Sequence, residues 1–121
     1  MLSEKELEQQ INDAVDLVQL TKSLQELLSG PYAISPDEDL YCTKARVDRI
    51  DDLRVVIRPN DHPPPHFHVI GQDFDVSFEI ESGILLEGRI DPPHYQKVKW
   101  WHKRAKQILN RIWENTRTTD K

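Results

Sequence analysis

The chain has 121 residues, 37% of them hydrophobic and 31% charged, with a net charge of −5. Those proportions describe one modest globular unit with its own core and exclude a disordered polymer. No apolar run approaches the ~20 residues of a membrane span, nothing resembles a secretory signal, and the single cysteine, Cys42, excludes an internal disulfide or a cysteine-based zinc site. The expected location is cytoplasmic, with no membrane partner.

The charge is unevenly spread, with −7 over residues 1–40, −4 over 41–91 and +6 over 92–121. A basic C-terminal segment suits either phosphates or the chain's own acidic N-terminal part.

The first element is a long amphipathic helix over residues 1–30. Ser3 and Glu6 have capping-box spacing, and Leu7, Ile11, Ala14, Leu17, Val18, Leu24, Leu27 and Leu28 make a broad apolar stripe. Gly30, as a left-handed cap, and Pro31 end it. Residues 31–43 have no sustained period and read as a linker. Residues 44–117 form the main α+β unit, followed by a tail at 118–121. That unit opens as a hairpin turning at Asp51-Asp52, with Ala45, Val47, Leu53, Val55 and Ile57 available for burial. The segment closes with a helix from Pro92, capped by Asp91, whose apolar face carries Val98, Trp101, Ala105, Ile108 and Ile112. The fold expected is α+β: an antiparallel meander of about five strands packed on the C-terminal helix, with the N-terminal helix as an appendage or oligomerisation element.

The run "HPPPHFHV" over 62–69 holds three of the five histidines. Three prolines cannot donate ladder hydrogen bonds, so they form an extended lead-in and the strand begins near His66. Alternation then puts Phe67 and Val69 on one face, His66 and His68 on the other. With a two-residue turn at Gly71-Gln72, Val69 faces Phe74 and Phe67 faces Val76. His68 then meets Asp75, and His66 meets Ser77. A three-residue turn at Glu81-Ser82-Gly83 brings Ile84 and Leu86 into the core and Glu87 near Ser77.

Several chemistries fit this polar face. His66 and His68 can reach one divalent ion, with Asp75 as third ligand or as the group that orients an imidazole. Alternatively, the histidines act as acid and base in RNA cleavage, with Asp75 or Glu87 assisting and Arg54, Arg58 or Arg89 meeting the phosphate. The plainer possibility is a pair of half-exposed strand histidines held by Asp75 and Ser77. Lys99, Lys103 and Arg104, beside Trp100 and Trp101, are candidates for binding nucleic acid. Leu17 and Leu24 are candidates for a protein partner or a homodimer.

From residue 53 onward the chain resembles domain-of-unknown-function family 4160. The resemblance lies in "DHPPPHFHV" at 61–69, "FEIESGILLEGRI" at 78–90 and the helix ending "LNRIWEN". It implies a small bacterial protein, often encoded beside another uncharacterised domain in a toxin–antitoxin-like pairing. It supplies motif positions (Pro64, Pro65, His66 and His68) but no mechanism. The leading expectation is a protein-interaction module, the alternative a ribonuclease-like or metal-dependent hydrolase, and the third a nucleic-acid binder.

Overall fold

The apolar positions near the N-terminus fall into two phases. At about 100° per residue, the stripe Leu7–Ile11–Ala14 and the stripe Leu20–Leu24–Leu27 point about 140° apart, so one straight helix cannot bury both. The computed structural model, which describes residues 2–43, 50 and 52–118, resolves the conflict by breaking the helix. Helix α1 runs over Glu4–Asn12 and α2 over Leu17–Ser29. Ser3 and Glu6 form the expected capping box on α1. Asp16 caps α2 by accepting from the Gln19 amide at 2.9 Å, while Gln19 Oε1 accepts from the Val15 amide at 2.8 Å. Val18, assigned to the apolar stripe by the single-helix reading, is left 65% exposed.

Gly30 ends α2 in extended backbone rather than the expected left-handed cap. A side chain is excluded there for another reason, since a Cβ would stand 2.4 Å from the Tyr32 ring. Residues 31–43, expected as a linker, contain an antiparallel hairpin of β1 (Tyr32–Ile34) and β2 (Leu40–Cys42). Tyr32 anchors it by donating its hydroxyl to the Leu2 carbonyl at 2.7 Å.

The expected meander is present as a four-stranded antiparallel sheet in the order β3 (Arg54–Val56), β4 (His66–Ile70), β5 (Asp75–Glu79) and β6 (Leu85–Glu87). The strand expected before Asp51-Asp52, with Ala45 and Val47, lies outside the described residues. Between β4 and β5 the register differs from expectation by two residues: Val69 pairs with Val76 and Phe67 with Phe78. The turn is longer because the Gly71 amide closes on the Phe74 carbonyl at 2.9 Å. A shift of two keeps every side chain on its expected face, where a shift of one would have inverted them. Phe67 and Phe78, now directly opposite, stack with centroids 5.4 Å apart.

The β5–β6 turn depends on Gly83, whose φ of +76° and 2.7 Å Cβ clearance from His102 Nδ1 both exclude a side chain. Beyond it, Phe78 pairs with Leu85 and Ser77 with Glu87, so Leu86 is the extra residue of a bulge. The bulge re-phases β6. Ile84 and Leu86, expected in the core, are 56% and 42% exposed, and Leu85 packs inward instead.

Helix α3 (Pro92–Thr118) begins where expected, with the Asp91 carboxylate accepting from the His94 amide. Of its expected apolar face, Val98, Trp101, Ala105 and Ile108 are buried and Ile112 is partly covered, and Trp100, His102, Leu109 and Trp113 are buried too, because the sheet is not its only neighbour. Helices α1 and α2 pack on it as well. Trp101 donates to the Ser23 hydroxyl of α2 at 2.8 Å, and the Val55 amide donates to Thr21 at 2.9 Å. The N-terminal segment is therefore part of one continuous core running from Leu7 to Trp113, rather than an appendage. Among the described residues, no helix is long and apolar enough to cross a membrane.

Candidate metal centre

The outer end of β4 meets three other pieces of chain. The prolines before it bend instead of running extended, and the Pro63–Pro64 peptide is cis. The turn after β3 folds back as the Asp61 amide donates to the Arg58 carbonyl at 3.2 Å. The end of α3 locks that turn. Arg117 donates to the carbonyls of Arg58, Pro59 and Asp61 at 3.3, 2.9 and 2.7 Å. Its guanidinium lies 3.4 Å from the centre of the Trp113 ring, which in turn sits 5.6 Å from the His66 ring.

Inside this frame three donor atoms converge. Nε2 of His66 lies 3.3 Å from Asp61 Oδ2, and Nε2 of His68 lies 3.5 Å from the same oxygen. The three side chains are 12%, 15% and 19% exposed, so water screens them little.

Hydrogen bonds orient both imidazoles. His66 Nδ1 is 2.8 Å from the Pro64 carbonyl, which can only accept, so Nδ1 carries a proton and Nε2 is the nitrogen turned towards Asp61. His68 Nδ1 faces Asp75 Oδ1 at 3.3 Å, and Arg58 Nη1 lies beside the same ring, 3.1 Å from Nε2 and 3.5 Å from Nδ1. Asp61 Oδ2 is buried with no hydrogen-bond partner among the described residues, despite two nitrogens close by. Three potential ligand atoms converging on one point suit a shared cation, either a proton on an imidazole or a metal ion. His66, His68 and Asp61, all within 4.8 Å, are a candidate metal-binding group.

The sequence-based candidates sort differently. Asp75, 54% exposed, meets Nδ1 of His68 rather than the converging Nε2 atoms, so it occupies the orienting position and not that of the third ligand. Glu87 pairs with Ser77, one strand beyond His68's own partner, which puts it roughly 10 Å from His68. The third member of the converging group is Asp61. It was missed because a loop residue has no alternation from which to compute its direction. Arg117 was missed for a similar reason, at the end of a helix whose basic residues were expected to meet phosphates or the acidic N-terminal part.

Lys99, Lys103 and Arg104 line one open groove of about 420 Å³ with Trp100. Lys103 is paired with Glu38 and Arg104 with Glu8, so the acidic N-terminal part answers the basic helix. Lys103 beside Glu38 holds that carboxyl below the usual range. Trp100 and Trp101 are 3% and 0% exposed, which leaves neither ring open to stack on a base. Leu24 is fully buried in the chain's own core, and Leu17 packs against it partly covered.

A family model described as a domain of unknown function (DUF4160) matches residues 53–114, which include β3 to β6 and most of α3. No curated protein and no solved structure matches.

Proposed function

We propose, from the premise that this chain belongs to the DUF4160 family of unknown function, that it works through one divalent metal ion held by Asp61, His66 and His68. The observation that carries the reading is the buried Asp61 Oδ2, without a hydrogen-bond partner among the described residues, on which two imidazole Nε2 atoms converge. The Nδ1 atoms support it, since each is engaged by a carbonyl or carboxylate as metal-ligating imidazoles usually are.

Three protein donors leave coordination positions open, the arrangement of catalytic rather than structural zinc-type sites. A divalent ion there would act as a Lewis acid and activate water, which favours a metal-dependent hydrolase over metal-free acid–base cleavage. The residues have separable tasks. His66, His68 and Asp61 bind, Asp75 and the Pro64 carbonyl orient, and Trp113 shields one side.

Chelator-treated protein tested against simple phosphoesters and carboxylic esters is expected to regain hydrolysis on adding zinc or manganese, and Asp61→Asn to regain none. Absence of metal-dependent turnover across both ester classes would remove the hydrolase while leaving the metal site to be judged by binding.

A protein-partner role, including one member of a toxin–antitoxin-type pair, is the second reading. It is favoured by Val15 and Val18, 71% and 65% exposed at the α1–α2 junction. A Val15→Asp/Val18→Asp variant is expected to keep its fold and lose self-association or partner capture. Sedimentation and capture identical to wild type would dispose of this reading.

A further inference from the structure

The groove between the β1–β2 hairpin and α3 contains a polar atom that the fold leaves unsatisfied. Ile34 and Pro36 line it from the hairpin, and Lys99, Trp100, Lys103 and Arg104 line it from the helix. Trp100 is 3% exposed, and its Nε1 is buried with no hydrogen-bond partner among the described residues. The adjacent Trp101 shows the ordinary solution, donating to the Ser23 hydroxyl. A buried N–H left unpaired loses about 1–3 kcal/mol, and native folds carry few of them. An acceptor brought into the groove would complete Trp100.

The neighbouring groups indicate which acceptor. The Arg104 guanidinium lies 3.7 Å from the centre of the Trp100 ring. Its Nε is engaged by Glu8 and its Nη1 by the Trp100 carbonyl, so Nη2 is the nitrogen left to donate. Lys99 is exposed at the same groove. Glu38 already rests among these cations: Lys103 holds its carboxyl below the usual range, and Lys99 and Arg104 add to the pull. The chain's own carboxylate thus marks the chemistry that the rim accepts. Three cations meet two carboxylates, Glu38 and Glu8, which leaves one positive charge for a further anion. Ile34 and Pro36 offer an apolar wall that an organic body can cover and a bare inorganic ion cannot.

We propose that this groove is a second binding site, separate from the metal centre, and that its ligand is a small organic monocarboxylate. The carboxylate accepts from Trp100 Nε1 and pairs with Arg104 and Lys99, while the apolar body lies against Ile34 and Pro36.

The test is NMR of the indole N–H signals of the full-length protein, the Trp100 signal being identified by its loss in Trp100→Phe. The probe is benzoate, with benzamide as the neutral isostere and inorganic phosphate as the anion without an apolar body. Benzoate is expected to move the Trp100 signal saturably and to leave the Trp101 signal in place, while benzamide and phosphate move it little at equal concentration. Lys99→Gln, an exposed change outside the core, is expected to weaken benzoate binding about two- to fivefold, the worth of one exposed charge pair. Trp100→Phe, followed through the Ile34 backbone amide, is expected to weaken it about tenfold or more. Should Trp100→Phe fail to fold, Lys99→Gln still decides. No saturable shift with benzoate, an equal response to benzamide or phosphate, or unchanged benzoate affinity in Lys99→Gln would each overturn the assignment.

Discussion

Each imidazole at the site has one nitrogen engaged and one aimed inward, and the engaged side differs. His66 leans on a backbone carbonyl that mutation cannot remove, whereas His68 leans on the Asp75 side chain. Asp75→Asn is therefore expected to weaken metal binding by about 10–100-fold without abolishing it, the usual effect of losing an outer partner of a ligand. Asp61→Asn should abolish tight binding, since it removes the only anionic donor of the three. Calorimetric titration of both variants separates the roles, and equal losses would place Asp75 among the ligands. His66 and His68 were readable from strand alternation alone, because a period of two fixes the face even when the register is off by two residues. Asp61 was not, since a loop residue's direction depends on how the turn closes.

At the scale of elements, the site depends on an α3 that is long enough. Its final turns bring Trp113 against His66 and Arg117 onto the loop carrying Asp61. Arg117→Ala should leave the helical circular dichroism intact, lower stability by about 1–2 kcal/mol, and weaken metal binding by loosening Asp61. Unchanged metal affinity would mean that the loop holds its shape without the clamp. The same scale shows how much of the fold was written in local pattern. Helix α3, the meander order and the capping box of α1 follow from spacing and cap residues. The α1–α2 break was also written there, in the phase jump between Ala14 and Leu20 and in Asp16-x-x-Gln19, but a count of apolar residues hid it. The β6 bulge was not readable, because Ile84, Leu85 and Leu86 are all apolar and alternation cannot choose among them.

For the whole molecule, one core joins sheet and helices through a few buried polar contacts. Trp101 donates to Ser23 across that core, so Ser23→Ala should cost about 1–3 kcal/mol by leaving a buried N–H unpaired. His102 donates from Nε2 to the Ile80 carbonyl, and burial, only partly opposed by this bond, holds its pKa below the usual histidine value. A neutral histidine in the fold and a protonatable one in the unfolded chain give a definite sign. The unfolded state binds more protons, so this contribution to stability is complete above about pH 6.5 and declines as the pH falls below it. Urea midpoints at pH 7.5 and 5.5 should differ more for the wild type than for His102→Gln, and equal differences would exclude His102 as the source.

The central claim is that Asp61, His66 and His68 hold a divalent ion, and native mass spectrometry of the untagged protein after exposure to zinc or manganese tests it most directly. The expected spectrum shows one added ion per chain in the wild type and none in folded Asp61→Asn or His66→Ala/His68→Ala. An ion-free wild type, or an added ion that persists in both variants, would contradict it.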